Sequence, residues 1–140
     1  MAELRSYVPS VIAVLAAPEA CDHVAGLPGA GRVAPAEVVL VGNISLVAIE
    51  RAVRLVDPDA VVADVSDGWA GIAIDGEGMR GVFARLSELV LPLEGFTQGE
   101  VARIGVRIFI EGDRIDLLVP AMVADHVRSR IEADAEDLLR

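Results

Sequence analysis

The 140-residue chain carries 22 acidic and 12 basic residues, a formal net charge of −10, and 54% of its residues are hydrophobic. That composition fits one folded domain able to bury roughly 70% of its unfolded surface, and leaves no case for disorder. All twelve basic residues are Arg, so a phosphate-loop lysine, a Schiff-base lysine and a lysine general base are excluded. One Cys (Cys21) and two His (His23, His126) exclude a disulfide framework and a Cys/His structural zinc site. An acidic chain with one Trp, one Tyr and three Phe also lacks the charge and the stacking platforms for nucleic acid.

Residues 1–36 read as an irregular N-terminal segment. Val11–Ala17 is an apolar run faintly like the core of a secretory signal, but Glu3 and Pro9 suit such a signal badly. No apolar stretch nears the roughly 20 residues needed to span a bilayer, so a soluble cytoplasmic protein with no membrane partner is expected. Gly26–Pro35 is dense in Gly and Pro and reads as a loop. Its G-x-x-G-x-G spacing has no strand leading in and no periodic helix following, so it is a connection and not a nucleotide loop.

From Glu37 onward the pattern is regular. Val38–Val41 is a β-branched run suited to a buried strand. Asn43 or Ser45 caps a helix to about Val56, with Leu46, Ile49, Val53 and Val56 on one face and Glu50–Arg54 paired outside. Asp57-Pro58 stops it. Strands Val61–Ser66 and Trp69–Ile74 flank Asp67-Gly68, a dipeptide that predicts a two-residue hairpin. A second helix runs from Asp75-Gly76 to about Val90 on a stripe of Met79, Val82, Phe83, Leu86 and Val90. Gly78 and Gly81 weaken it and suggest close approach to a neighbouring backbone. After a linker from Leu93 to Glu100, Ile104–Ile110 alternates cleanly, Glu111–Arg114 turns, and Ile115–Val119 returns. Pro120 opens a last helix striped by Val123, Val127, Ile131 and Leu138. The order β-α-β-β-α-β-β-α predicts an α+β fold, a mainly antiparallel sheet with helices on one face.

Catalytic constellations are scarce. Ser66, Asp64 and His126 supply the letters of a triad, but no G-x-S-x-G elbow supports one. Asp64 and Asp67 flank the expected turn, and turn geometry and solvation account for them without acid–base or cation chemistry. His126 falls on the solvated side of the last helix, as does the acidic run Glu132–Asp137. Cys21 and His23 have no further ligands nearby. Strict alternation puts Trp69 with Gly71, Ala73 and Asp75, opposite Ile72 and Ile74. If those isoleucines line the core, Trp69 faces outward, a suitable interface anchor.

The segment Val61–Leu86, VVADVSDGWAGIAIDGEGMRGVFARL, resembles the γ subunit family of heterotetrameric sarcosine oxidases. Asp64-Val65-Ser66, Asp67-Gly68, Asp75-Gly76, Arg80, Val82 and Ala84 fall in step with it. Leu91, Phe96 and Gly99 keep the spacing to its F-x-x-G linker. Glu37–Gly42 (EVVLVG) is similar to its E-W-L-L-V-G, and Ile115–Pro120 (IDLLVP) to its closing hairpin. Where the family has K-G-C-x-L-D-L, this chain has Arg85-Leu86-Ser87-Glu88-Leu89-Val90-Leu91, and its part before Glu37 is shorter.

The resemblance implies a γ-like domain over 37–140 with the fold of the glycine-cleavage T-protein and its YgfZ-like relatives. It implies a non-catalytic subunit of a heteromeric flavin-dependent oxidoreductase that demethylates an N-methyl amine or amino acid. Its partners would be larger flavoprotein subunits. FAD, FMN, NAD and tetrahydrofolate would then belong to those partners and none to this chain. Trp69, Arg85 and Phe96 are the candidate interface residues, with no catalytic, cofactor or metal residue. The alternative is a free-standing T-protein-like domain that binds a small molecule such as a folate.

Overall fold

The computed structural model describes residues 1–140. The chain forms nine strands and four α-helices in two compact units, one of Met1–Val8 with Asp67–Arg140, the other of Pro9–Ser66.

The smaller unit holds β2 (Val11–Leu15), α1 (Pro18–Asp22), β3 (Ala30–Ala34), β4 (Glu37–Val41), α2 (Leu46–Arg54) and β5 (Val61–Asp64). Its sheet runs β3-β4-β2-β5, antiparallel throughout. Ile12, Val14, Val38, Leu40 and Val62 form a core with Ala20 and Cys21 of α1 and Ile49 and Val53 of α2. Ser45 is the cap of α2, its Oγ accepting from the Ala48 N–H at 3.2 Å. Glu50 and Arg54 make the expected outward pair at 3.0 Å.

The larger unit holds β1 (Glu3–Tyr7), β6 (Trp69–Asp75), α3 (Met79–Ala84), β7 (Gly95–Val101), β8 (Ile104–Glu111), β9 (Arg114–Pro120) and α4 (Ala124–Asp134). Its sheet runs β1-β6-β9-β8-β7, again all antiparallel. One face is apolar: Ile72, Ile74, Val106, Ile108, Ile110, Ile115, Leu117 and Val119 meet Met79, Val82 and Phe83 of α3 and Val127 and Ile131 of α4. Each such side chain taken from water contributes about 2 kcal/mol, which is why the short helices hold. The fold is α+β, with helices on one face of each antiparallel sheet.

Several expectations are corrected. Residues 1–36 are not irregular, because β1, β2, α1 and β3 lie there, and the break falls at 8/9 and 66/67 rather than at 36/37. β1 pairs with β6 some 70 positions on (Glu3↔Asp75 to Tyr7↔Gly71), a contact no local pattern announces. The signal-like apolar run is a central strand, β2, between β4 and β5. A strand buried this way loses its alternation and cannot be told from other apolar runs.

Asp67-Gly68 makes no hairpin. Ser66–Gly68 is a 3₁₀ turn, and neither Asp67 nor Gly68 has the positive φ that a type I′ turn requires. β5 and β6 therefore enter different sheets, and the expected single sheet becomes two. α3 ends at Ala84 rather than Val90, and Val90 is exposed. Gly78 does lie against backbone, that of Met1 and Ala2, whereas Gly81 faces the Leu138 side chain.

The expected linker 93–100 contains β7. Its hairpin with β8 turns on Ala102 and Arg103, at φ 52° and 66°. Both occupy the left-handed region that Asn-Gly normally fills, so the usual sequence signal is missing. Left-handed geometry costs a side-chain-bearing residue about 1–2 kcal/mol. Arg103→Gly is expected to raise stability by about 1 kcal/mol, a rise in melting temperature of about 3–5 °C by calorimetry.

Candidate functional site

The side of the larger sheet that faces away from its helices is built by strict alternation. Registers place Tyr7, Gly71, Leu118, Arg107 and Gln98 in one row across β1, β6, β9, β8 and β7. Arg5, Ala73, Asp116, Phe109 and Phe96 form the next row. Tyr7, Trp69, Phe96 and Phe109 all lie on this face, leaving only Phe83 for the core. Aromatic content is therefore concentrated away from the helices.

The structure brings two of the three candidate interface residues to this one face. Trp69 is half-buried, with the Arg107 guanidinium carbon 4.4 Å from its ring centroid, a cation–π stack. Phe96 packs on Phe109 with centroids 5.1 Å apart and planes tilted by 58°, an arrangement that suits the ring quadrupoles. Arg107 and Phe109 stand two residues apart on β8, so they link the two candidates.

Arg85 is elsewhere. It follows α3, on the helix side, and binds Asp137 with two bonds of 2.9 and 3.1 Å and the Asp134 carbonyl with a third at 3.2 Å. The hydrogen bond from Arg85 holds the Asp137 carboxyl below its ordinary value, and the same bond raises the guanidinium. Arg85 thus tethers the C-terminal segment, a contact between residues 52 apart that the sequence does not announce.

Beside Trp69 lies a polar knot missed by sequence reasoning. Tyr7 Oη donates to Asp116 Oδ1 at 2.8 Å, and Asp116 accepts two further bonds from Arg114 at 2.7 and 2.8 Å. The guanidinium carbons of Arg114 and Arg5 lie 5.6 and 5.9 Å from the centroid of the Tyr7 ring, and Arg5 reaches Asp75 at 3.6 Å. The ring lies over Gly71, where an added Cβ would meet ring carbons at 2.4–2.6 Å. Burial first, then the bond to Asp116, raise the Tyr7 phenol above its ordinary range. Two arginines and two aspartates balance one another, so the knot fixes strands and offers no nucleophile. The alternating letters E-L-R-S-Y in β1 were the available signal, but they have no meaning without β6 alongside.

Two open grooves border β7. One, of about 420 Å³, is lined by Trp69, Gln98, Glu100, Gly105 and Arg107. The other, of about 600 Å³, is lined by Arg85, Leu86, Ser87, Leu89, Glu100 and Arg103.

The remaining candidates have local roles. Ser66 Oγ donates to Asp64 Oδ1 at 2.6 Å and accepts from the Val11 N–H at 2.8 Å, tying β5 to β2. The Ser66 hydroxyl and amide hold the Asp64 carboxyl below its ordinary value. His126 and His23 are exposed. Cys21 is buried beside the Ala16 carbonyl, and burial raises its thiol. No group of three or more His, Cys, Asp or Glu side chains gathers as a metal site, and no helix is long and apolar enough to cross a membrane.

No family model matches the chain, and no curated protein matches it in sequence. Solved structures do. The fold is similar to a chain of the heterotetrameric sarcosine oxidase from Corynebacterium sp. U-96, with a TM-score of 0.79 and 16% identity over 98% of this chain and 85% of that one. It is similar to the glycine cleavage system aminomethyltransferase T from Bartonella henselae, with a TM-score of 0.71 and 16% identity over 99% of this chain. This chain spans 47% of that protein's length. The regulatory subunit of aspartate kinase from Thermus thermophilus is more distant, at a TM-score of 0.50 and 14% identity. These likenesses establish a shared fold.

The knot has a measurable consequence at alkaline pH. A phenol raised in the folded state contributes stability that is complete below the unfolded value of about 10 and is lost as pH rises toward the folded one. Because Tyr7 is the one tyrosine, tyrosinate absorbance reports it alone. Asp116→Asn is expected to bring that titration down toward the ordinary range and to move alkaline unfolding with it. An unchanged midpoint would show that Asp116 does not act on Tyr7. Gly71→Ala is expected to cost about 1–3 kcal/mol by overpacking, and much less in a Tyr7→Ala background, as a double-mutant cycle in urea checks.

Proposed function

We propose that this chain is a γ-like, non-catalytic subunit of a heteromeric, flavin-dependent oxidoreductase that demethylates an N-methyl amine or amino acid. The observation that carries the reading is the extent of the likeness to the heterotetrameric sarcosine oxidase chain, 98% of this chain against 85% of that one at a TM-score of 0.79. Against the aminomethyltransferase the likeness is weaker, at a TM-score of 0.71, so the subunit reading is favoured.

The chemistry of the residues supports an accessory role. There is no lysine, Ser66 and Asp64 bind each other, and the Tyr7–Asp116–Arg114 knot is closed on itself. On this reading FAD, FMN, NAD and tetrahydrofolate sites belong to larger flavoprotein partners. Trp69 and Phe96 serve as interface anchors, since large aromatics with an arginine neighbour are the side chains that dominate binding energy. Arg85 would serve a partner only if its pair with Asp137 opened.

Tagged chain returned to its native host is expected to co-purify with a larger protein that shows a flavin absorption spectrum. Trp69→Ala is expected to weaken that complex by about 2 kcal/mol or more while leaving the isolated chain folded. A monodisperse monomer that brings down no flavoprotein would refute the reading. Saturable folate binding by the isolated chain would favour the small-molecule alternative.

A further inference from the structure

The two longer helices of the fold treat solvent differently. α4 turns Asp125, His126, Ser129, Arg130, Glu132 and Ala133 outward, so five of its six exposed positions are polar. That is the ordinary pattern for a helix with one side on a core. α2 departs from it. Its exposed positions are Val47, Ala48, Arg51, Ala52 and Arg54, continued by Leu55, which keeps helical geometry at the C-cap. Only the two arginines are polar. Val47 is 58% exposed and Leu55 87%, while Ile49 and Val53 fill the core on the other side.

Residues four apart share a helix face, so Val47, Arg51 and Leu55 form one outward row and Ala48 and Ala52 the row beside it. A row of large side chains next to a row of alanines is a ridge beside a groove. That is the relief into which a second helix packs.

Arg51 stands at the middle of the ridge. A basic residue in the last turn suits the helix dipole, which accounts for its sign but not for its apolar neighbours. The carboxylates around it are already engaged. Glu50 is taken by Arg54 at 3.0 Å, Asp57 accepts from the Ala17 and Asp59 amides, and Asp22 of α1 is taken by Arg32. Glu19 and Asp59 are exposed and lie outside α2. The outward face itself therefore centres on one positive charge with apolar shoulders. Arginine with a desolvated surround is a side chain on which binding energy concentrates, and its methylene stem adds to the apolar contact.

This charge selects the occupant. A second copy is the poorer candidate, because a twofold contact centred on this face repeats the same patch and sets Arg51 against Arg51. A helix that carries a carboxylate among apolar residues is complementary to it.

We propose that the outward face of α2 docks a helix of a partner subunit, which lays apolar side chains along Ala48 and Ala52 and brings an Asp or Glu to Arg51. This rests on the subunit reading above and adds a contact surface on the smaller unit to the aromatic one on the larger.

The probe is a blocked helical peptide of about fifteen residues, with leucines along one face and a glutamate among them, titrated into the full chain and followed by amide NMR. A counterpart has lysine in place of that glutamate. The Glu peptide is expected to shift the α2 amides and to bind about tenfold or more tighter than the Lys peptide. Arg51→Glu is expected to reverse that preference. Leu55→Ser is expected to weaken the Glu peptide about tenfold. Both positions are exposed, so both variants keep the fold. The proposal is overturned by no binding of the Glu peptide, by equal binding of the two peptides, or by binding that Arg51→Glu and Leu55→Ser leave intact. A dimer in sedimentation that Leu55→Ser splits would make a second copy the occupant, and would also overturn it. The native complex judges the subunit reading separately: a flavoprotein complex that forms equally well with either variant keeps that reading and removes this one.

Discussion

The larger unit depends on the register of β6. That strand is paired along all seven residues with β9 and along five with β1, so its alternation is imposed on both neighbours. A slip of one residue would turn Ile72 and Ile74 out of the core and bring Ala73 and Asp75 in, because side-chain direction repeats every two residues. Tyr7 over Gly71 marks the correct register. A tyrosine can lie flat across a neighbouring strand only where that strand has no Cβ, and its hydroxyl then reaches Asp116 one strand further. Three strands are held by one side chain.

That register also decides what the opposite face can do. It gathers Trp69, Arg107, Phe109 and Phe96 on the side away from the helices, and it leaves charged groups there in balanced pairs. The same face is bordered by two shallow grooves along β7.

How much of this is legible in the sequence varies by element. The β4–α2 unit, the β8–β9 hairpin and the apolar stripes of α3 and α4 follow from local periodicity, and Ser45 caps its helix as its position predicts. Trp69 on the face opposite Ile72 and Ile74 follows from alternation alone. β7 stays hidden because its turn is made by Ala102-Arg103 in conformations that favour glycine. β1 and β2 stay hidden because their partners lie far along the chain. The Asp67-Gly68 signal is misleading for a related reason: turn preference is a local free energy of about 1 kcal/mol, and burying apolar strands in separate cores outweighs it.

The starting figures keep their meaning with a narrower use. A charge of −10 carried without a single lysine determines which reactions this chain cannot run, because a missing functional group is missing in any fold. The α+β class and the residues of the core are likewise set by the order of letters, since burial follows apolar periodicity. Local spacing pairs Arg54 with Glu50 and Arg114 with Asp116, whereas tertiary structure alone decides where Arg85 and Arg107 direct their charge. Arg85 closes on Asp137, and Arg107 stacks on Trp69. Those pairings join residues that only sheet register and helix packing bring within a few ångströms, and Coulomb and hydrogen-bond energies act over that distance and not along the sequence.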